Sequence, residues 1–264
     1  MILIKTAEEI ELLRESNLLV SKTLAEIAKL IKPGCTTIEL DRRAEEFIRD
    51  NNAIPAFLKY KGYPKTLCTS VNNQVVHGIP SSLELKDGDI ISVDCGVVYN
   101  RYYGDSAFTF GIGEIDNEVA RLLRVTKESL FKGIEWAVDG MRLGDVGFAI
   151  QNFCEEAGFS VVREMVGHGL GKNLHEAPEV PNYGRRGKGI MLKKGMVICI
   201  EPMINMGRKE IIQAPDGWTI RTIDNKPSAH FELAVAIDKG KADVLSTFDY
   251  VTEAIANNSN LYQN

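Results

Sequence analysis

The chain has 264 residues, 44% hydrophobic and 25% charged, with a formal net charge of −5. No linker rich in Pro, Gly or Ser divides it, so a single domain over residues 1–264 is expected. The acidic balance argues against specific nucleic-acid binding, and no apolar run approaches the roughly 20 residues of a membrane span. Five cysteines without a Cys-x-x-Cys pair indicate reduced thiols, which predicts a cytoplasmic protein.

Helical signals open the chain. The capping box Thr6-Ala-Glu-Glu9 precedes an apolar stripe that begins at Ile10 and predicts a long helix, ended by Pro33-Gly34. A second box, Thr36-Thr-Ile-Glu39, predicts a shorter helix. Strands are then expected over about 66–110, helices over about 117–138 and 145–157, and strands again from about 161 to the last 30 residues. This order favours an α+β domain with a curved antiparallel sheet inside and helices outside.

One segment occurs twice. Leu85-Lys-Asp-Gly-Asp-Ile-Ile-Ser-Val-Asp94 recurs 107 positions later (201 − 94) as Leu192-Lys-Lys-Gly-Met-Val-Ile-Cys-Ile-Glu201. Other pairs keep the same order, including His77 with His175, each before an x-x-Pro. Five echoes in register predict an internal repeat of two pseudo-symmetric halves, about 6–111 and 116–238. Each half ends a buried strand on a carboxylate, which indicates two half-sites that meet at one cation-binding centre.

Four acids are candidates for that centre. Asp94 shares a strand face with Ser92, and Asp105 lies 11 residues beyond it (105 − 94) across a turn, so a hairpin can bring both carboxylates together. Glu201 and Glu232 can meet in the same way if their connection folds back. Taken singly, each acid is more often a strand-end carboxylate that faces water. As a symmetric set they would repel one another unless protonated or neutralised by two divalent cations.

His168 is the fifth candidate, in Val166-Gly-His168-Gly-Leu-Gly171. Flanking glycines let the backbone pass close to a crowded site, although a lone histidine is more often an ordinary core or surface residue. One nitrogen donor among four carboxylates suits manganese, iron(II), cobalt or zinc. Two such metals with bridging acids would hold a hydroxide at neutral pH, which is a hydrolytic nucleophile.

These residues carry a resemblance to a known family. The chain resembles the type I methionine aminopeptidases of the bacterial kind, from about residue 4 to 250. The motifs that match are Asp94-Cys-Gly, Tyr103-Gly-Asp105, Gly-His168-Gly-Leu-Gly, Glu201-Pro-Met and His230-Phe-Glu232. The resemblance implies the pita-bread fold, a monomer, and removal of the initiator methionine from nascent chains with a free N-terminus and a small second residue.

The resemblance also implies a role for each donor. Asp94 would chelate one metal, and Asp105 and Glu232 would bridge two. His168 and Glu201 would complete the second metal's shell, and Glu201 would also shuttle the proton of the attacking water.

Two histidines and an apolar pocket complete the implied site. His175 would hydrogen-bond the scissile carbonyl oxygen and His77 the amide nitrogen of the leaving peptide. The walls that would take the methionine side chain are Tyr60, Tyr63, Cys68, Met203 and Trp218. Aromatic faces and a thioether make favourable contacts with a substrate sulfur.

Four positions depart from common members. Phe57 stands where cysteine is frequent and Leu174 where an aromatic residue is frequent, which would retune the pocket. His230 replaces a common glutamine and Leu233 a common histidine. These two changes alter the hydrogen bonds around the metal ligands and with them metal preference.

Four features of the sequence bear on alternative functions. Creatinase-like and proline-specific peptidases share the fold but carry a further N-terminal domain, for which a first helix at about Ala7 leaves no room. Type II enzymes carry a large insertion between the last two ligands, where this chain has 30 residues (232 − 201 − 1). A metal-free binding module is expected to have lost ligands. Contact with the ribosome through the basic cluster Arg185, Arg186 and Lys188 is a hypothesis from charge alone.

Overall fold

A computed structural model describes residues 1–263. Its helices are α1 Ala7–Ala28, α2 Thr37–Asp50, α3 Asn117–Ile134, α4 Leu143–Glu156 and α5 Asp249–Ala256. Both predicted capping boxes are present, because Glu9 N donates to Thr6 Oγ1 and Thr36 N donates to the Glu39 carboxylate. None of these helices combines the length and hydrophobicity that a membrane crossing requires.

The strands range from two to ten residues. In chain order they are β1 Ile54–Pro55, β2 Leu67–Val71, β3 Gln74–Val76, β4 Ile90–Tyr99, β5 Tyr102–Gly111, β6 Ser160–Val161, β7 Gly167–Gly169, β8 Glu176–Val180, β9 Val197–Ile200, β10 Met203–Asn205, β11 Ile211–Gln213, β12 Ile220–Thr222, β13 Ser228–His230, β14 Leu233–Ala236 and β15 Asp243–Val244. Every pairing between these strands is antiparallel, as the sequence predicted.

The strands form four hydrogen-bonded groups, and two of them meet where the four candidate acids lie. One group orders β1, β4 and β2, with β5 also on β4, and another orders β15, β14, β9, β7 and β8. A bridge between Ala107 and Glu232 joins the first group to the start of β14. The remaining strands form two three-stranded groups, β13-β10-β6 and β11-β12-β3.

Helix α1 packs directly on the β4–β5 hairpin and fixes the position of strand β5. A Cβ on Gly104 would lie 2.5 Å from the backbone of Ser16, so only glycine permits this approach. One residue further, Asp105 N donates to the Asn17 side-chain oxygen at 3.1 Å. The helix therefore positions the strand that carries a candidate ligand.

The core lies between the helices and the sheets. Phe108 packs edge-on against Phe231 and Phe248, with ring centroids 4.9 and 5.0 Å apart. Full burial of one such side chain contributes about 1.5–3 kcal/mol. This aromatic cluster lies directly behind the strands that bear the acids.

Two differences from the predicted elements have local causes. The third helix ends at Ile134 rather than near Val138, because Val138 leaves the helix and bridges Asp238. Helix α5 was missed because its eight residues lack a side-chain N-cap hydrogen bond.

Candidate metal centre

Strand register brings two of the acids together. In the β4–β5 hairpin Asp94 is opposite Ala107 and Gly96 is opposite Asp105. Because Asp105 precedes Ala107 by two positions, both carboxylates extend from the same face of the hairpin. The hairpin proposed from the spacing of the two acids is therefore present.

The other two acids arrive from the second group of strands. Glu232 N donates to Ala107 O at 2.9 Å, and Ser106 Oγ donates to Glu232 O at 2.6 Å. Leu233 is opposite Ile200, which puts Glu232 and Glu201 side by side at the ends of β14 and β9. The four acids thus lie on neighbouring strands around one point.

His168 faces the same point from the short strand β7. Its Nδ1 lies 2.9 Å from Gly169 O, so a proton on Nδ1 leaves the Nε2 lone pair free. Nε2 lies 3.6 Å from Asp105 Oδ2 and 3.7 Å from Glu201 Oε1. Burial lowers the pKa of His168, which keeps the ring neutral and able to bind a metal.

The glycines around His168 are needed for packing, as predicted. A Cβ on Gly169 would lie 2.5 Å from Ala177 O, and one on Gly167 would clash with Cys199 O. Glycine at both positions lets β7 insert between its two neighbours.

The acids are poorly solvated. Asp105 and Glu232 are 3% and 2% exposed. Burial raises the pKa of Asp105 well above its usual value, and the charges of Glu232 and Asp94 add to the shift. Burial also raises the pKa of Glu201 and of Glu232, and raises that of Asp94 to about 6. Without a compensating cation, the cluster would hold protons.

The donor set fits divalent cations. Within residues 1–263, Asp94 Oδ1, Asp105 Oδ1 and Glu232 Oε1 are buried without a hydrogen-bond partner. Donor atoms of Asp105, His168 and Glu232 lie within 4.8 Å of one another. Buried carboxylate oxygens left unpaired are costly unless a cation binds them.

Cys199 lies in the same group, which the sequence analysis did not recognise. Its Sγ is among the atoms within 4.8 Å, because Cys199 shares a strand face with Glu201. Burial first, and then the Glu232 charge, raises the pKa of this thiol well above its usual value. Cys199 therefore remains a neutral thiol. Because metals bind thiolates, it is not a candidate metal ligand.

A cavity of about 250 Å³ opens beside the acids. All five predicted pocket walls line it, as do the five predicted metal ligands. Tyr63 packs edge-on against Trp218 with ring centroids 5.1 Å apart, and its one hydroxyl proton is shared between Leu67 O at 2.9 Å and Gly78 O at 3.0 Å. The wall beside the acids is thus aromatic and largely held in place. The pocket residues are Tyr60, Tyr63, Cys68, Met203 and Trp218.

Two predicted histidines lie at the cavity. His175 stacks on Tyr60, with ring centroids 5.4 Å apart and the Tyr60 hydroxyl 2.9 Å from His175 Nδ1. Burial, followed by the charge of His168, lowers the pKa of His175. Burial also lowers the pKa of His77 to about 4. Both rings are therefore neutral at pH 7.

A buried ion pair holds the segment that carries His175. Lys5 Nζ lies 2.5 Å from Glu176 Oε2, with the two side chains 6% and 5% exposed. Glu176 Oε1 also accepts from Asn173 N at 3.2 Å. Sequence reasoning missed this pair because 171 positions separate its members.

Other lining residues were also missed. Two of them are adjacent in the chain to predicted residues, and the other two lie two and three positions before His168. This closeness in sequence was the available signal. The cavity is additionally lined by Lys61, Val76, Met165 and Val166. Three of the four residues that differ from common family members, Phe57, Leu174 and His230, also line the cavity. The fourth, Leu233, is buried in β14.

A buried cluster of carboxylates and one imidazole beside an apolar cavity defines a metal-dependent hydrolase site, and known proteins agree. The profile described as Metallopeptidase family M24 matches residues 11–239. A methionine aminopeptidase of Clostridium perfringens is 51% identical over 93% of this chain and 99% of its own length. The solved methionine aminopeptidase of Rickettsia prowazekii has a TM-score of 0.92 and 41% identity, covering 94% of this chain and all of that one.

The chain therefore belongs to metallopeptidase family M24 and, within it, to the methionine aminopeptidases. The predicted family and the pita-bread fold are confirmed. The prolidase of Pyrococcus horikoshii has a TM-score of 0.74 at 21% identity, covering 93% of this chain and 64% of its own, and shares the fold alone. Use of divalent metal follows from family membership and from the buried donor cluster.

Proposed function

We propose that the chain removes the N-terminal methionine from nascent proteins whose second residue is small. The similar proteins of Clostridium perfringens and Rickettsia prowazekii are methionine aminopeptidases. The observation that carries the proposal is the position of the acid cluster, at one end of a cavity of about 250 Å³ whose other walls are aromatic and sulfur-containing. A methionine side chain on those walls would bring its own amine and carbonyl to the acids.

Five residues would hold two divalent cations. They are Asp94, Asp105, His168, Glu201 and Glu232, and their oxygens with one nitrogen suit manganese, iron(II), cobalt or zinc. When bound, these ions offset the charge of the acids and lower the pKa of water, so that a nucleophile is available at neutral pH. The buried unpaired oxygens of Asp94, Asp105 and Glu232 support this assignment.

Proton transfer falls to Glu201. Its side chain is 13% exposed, whereas that of Asp105 is 5% exposed. Burial raises its pKa well above the usual value of a glutamate carboxyl. A carboxyl group beside the reacting water can accept a proton and later release it. Glu201 would take the proton of the attacking water and deliver it to the departing amine.

His175 and His77 would orient the scissile bond. The Tyr60 hydroxyl is 2.9 Å from His175 Nδ1; if it donates there, Nε2 carries the proton and can donate to the carbonyl oxygen. A neutral imidazole is required for this tautomer, and the lowered pKa of His175 supplies it. His77, also neutral at pH 7, would contact the amide nitrogen of the leaving peptide.

The wider setting of the reaction is proposed from the same resemblance. We expect a cytoplasmic monomer that acts on nascent chains, with the ribosome as a partner through Arg185 and Lys188. Arg186 is a poorer candidate for this contact, because its guanidinium packs over Phe148 and Trp136 at 4.7 and 5.6 Å from the ring centroids. That residue stabilises its own loop.

Peptide cleavage tests the proposal. Chelator-treated protein is titrated with manganese, iron(II), cobalt or zinc, and methionine release is measured from Met-Ala-Ser and Met-Leu-Ser. We expect metal-dependent release from the alanine peptide alone, and none from an Asp105→Ala variant. Folded protein that binds metal and releases no methionine with any of the four ions would contradict the proposed function.

A further inference from the structure

His230 is a buried imidazole for which the proposed site has no role. The residue is 1% exposed, lines the cavity, and is one of four histidines in the chain. Its Nε2 is buried without a hydrogen-bond partner in the described part of the chain. A polar nitrogen held in this way is costly unless it meets a ligand.

The backbone around His230 is fixed on both sides. His230 N donates to Thr109 Oγ1 at 2.9 Å, and the same hydroxyl donates to His230 O at 2.7 Å. Alternate residues share a face, so His230 accompanies Glu232 toward the cavity while Phe231 enters the core. The ring is therefore directed at the acids by the strand itself.

The Glu201 carboxylate lies between two imidazoles. Its Oε1 is 3.7 Å from His168 Nε2, and its Oε2 is 3.7 Å from His230 Nε2. Donor atoms about 2.1 Å from one tetrahedral ion lie about 3.4 Å apart. Both pairs are within a few tenths of an ångström of that separation, and His230 occupies the same relation to one oxygen as His168 does to the other.

We propose that His230 is a second nitrogen donor of the metal centre, bound to a cation on the Oε2 side of Glu201. This inference rests on the proposed function only in that the acids hold metal. A direct hydrogen bond from His230 to Glu201 is the other use of the nitrogen, but 3.7 Å exceeds the roughly 3.2 Å limit for N–H···O bonds.

The extra nitrogen predicts a shift in metal preference. Imidazole suits zinc, cobalt and iron, whereas manganese favours oxygen donors. Loss of the His230 ring is expected to weaken zinc binding at one of two sites by about tenfold or more, since ligand-shell changes typically cost 10–100-fold. Manganese binding is expected to change less.

Counting bound nitrogens tests the proposal directly. Protein labelled with ¹⁵N only at histidine is loaded with ¹¹³Cd, and one-bond ¹⁵N–¹¹³Cd couplings are read for the four imidazoles. Two coupled rings are expected. The His230→Gln variant should lose one coupling and His168→Gln the other, while the matched control His77→Gln keeps both. A single coupled ring in the wild-type protein, assigned to His168, overturns the proposal.

Two further readouts keep the result interpretable. Zinc and manganese affinities of His230→Gln are measured by competition with a chelator, and equal losses for both metals would contradict nitrogen ligation. Cleavage of Met-Ala-Ser by the manganese-loaded wild type is assayed in parallel. Cleavage with one coupled ring would sink only the His230 donor; two coupled rings without cleavage would sink only the aminopeptidase. If His230→Gln fails to fold, the wild-type count decides.

Discussion

The acid cluster and the apolar wall share one cavity but are built differently. Asp94 and Asp105 stand on ten-residue strands whose register sets their separation. Tyr60 lies in a short 3₁₀ turn, between Lys59 at φ 69° and Lys61 at φ 48°. Strand pairing positions the charges, whereas irregular backbone positions the aromatic walls of the pocket, Tyr60, Tyr63 and Trp218.

This difference separates chemistry from selectivity. A strand between two neighbours cannot shift by one residue without turning its acids away from the site. A loop residue such as Tyr60 can vary without disturbing a hydrogen-bonded ladder. We therefore expect changes in the cluster to abolish reaction and changes in the wall to alter substrate binding.

The largest effect is expected from Asp105→Asn. The substitution keeps the shape of the side chain but removes a charge that two cations would share. Loss of several kcal/mol of metal-dependent stabilisation corresponds to about a 10³-fold fall in kcat/KM. Metal content and methionine release are measured beside Asp50→Asn, an exposed position at the end of α2. Full metal content with an unchanged rate in Asp105→Asn would contradict the assignment of metal binding and reaction to the acid cluster.

Removal of metal should introduce a pH dependence of stability. Burial raises the pKa of Asp105, Glu201 and Glu232, so the folded metal-free protein binds more protons than the unfolded chain. Its free energy of unfolding should then fall as pH rises, by about 1.4 kcal/mol per pH unit for each acid that stays protonated.

The slope is best measured between about pH 6.5 and 8. In this range the histidines are mostly neutral in both the folded and the unfolded protein, so they add little slope of opposite sign to that of the acids. A lowered pKa, as in His77, costs stability only as pH falls below the unfolded value near 6.5. Urea unfolding is measured with and without manganese. The metal-loaded protein should show little slope; equal slopes in both forms would mean that no cation neutralises the acids.

A smaller effect is expected for Trp218→Ala in the pocket wall. Loss of its edge-on contact with Tyr63 and of substrate contact should raise KM, with about a tenfold fall in kcat/KM and unchanged metal content. Trp136→Phe, outside the cavity, serves as control. A fall in metal content in Trp218→Ala would show that wall and cluster are not separable.

The smallest effect on catalysis is expected for the double variant Arg185→Glu, Lys188→Glu. Both side chains are exposed, and such surface changes stay within about 0.5 kcal/mol. Peptide cleavage should remain within about twofold while co-sedimentation with ribosomes decreases. Unchanged co-sedimentation would remove the proposed ribosome contact.

The sequence predicted the elements that follow local sequence patterns. The strand alternation around Asp94 and Glu201, and the capping boxes at Thr6 and Thr36, follow local rules that the structure confirms. The approach of helix α1 to Gly104 could not be predicted, since it depends on tertiary packing.

The pocket and its supports depended on information beyond local pattern. Tyr60 and Trp218 have no periodic signal and were assigned only through the resemblance to a family. The Lys5–Glu176 pair and the approach of His230 to Glu201 join distant segments, which no spacing rule reveals. The closeness of Cys199 to Glu232 also joins distant segments and required the fold.

Proton release on metal binding tests the central claim most directly, because the acids must exchange protons for cations. Calorimetric titration of the chelator-treated protein with manganese, in buffers of different ionisation enthalpy, gives both the number of ions and the number of protons released. We predict two ions per chain and net proton release at neutral pH. Binding without proton release would contradict the claim that the metal-free acids hold protons that a cation displaces. No binding by folded protein would contradict the claim that these acids hold metal.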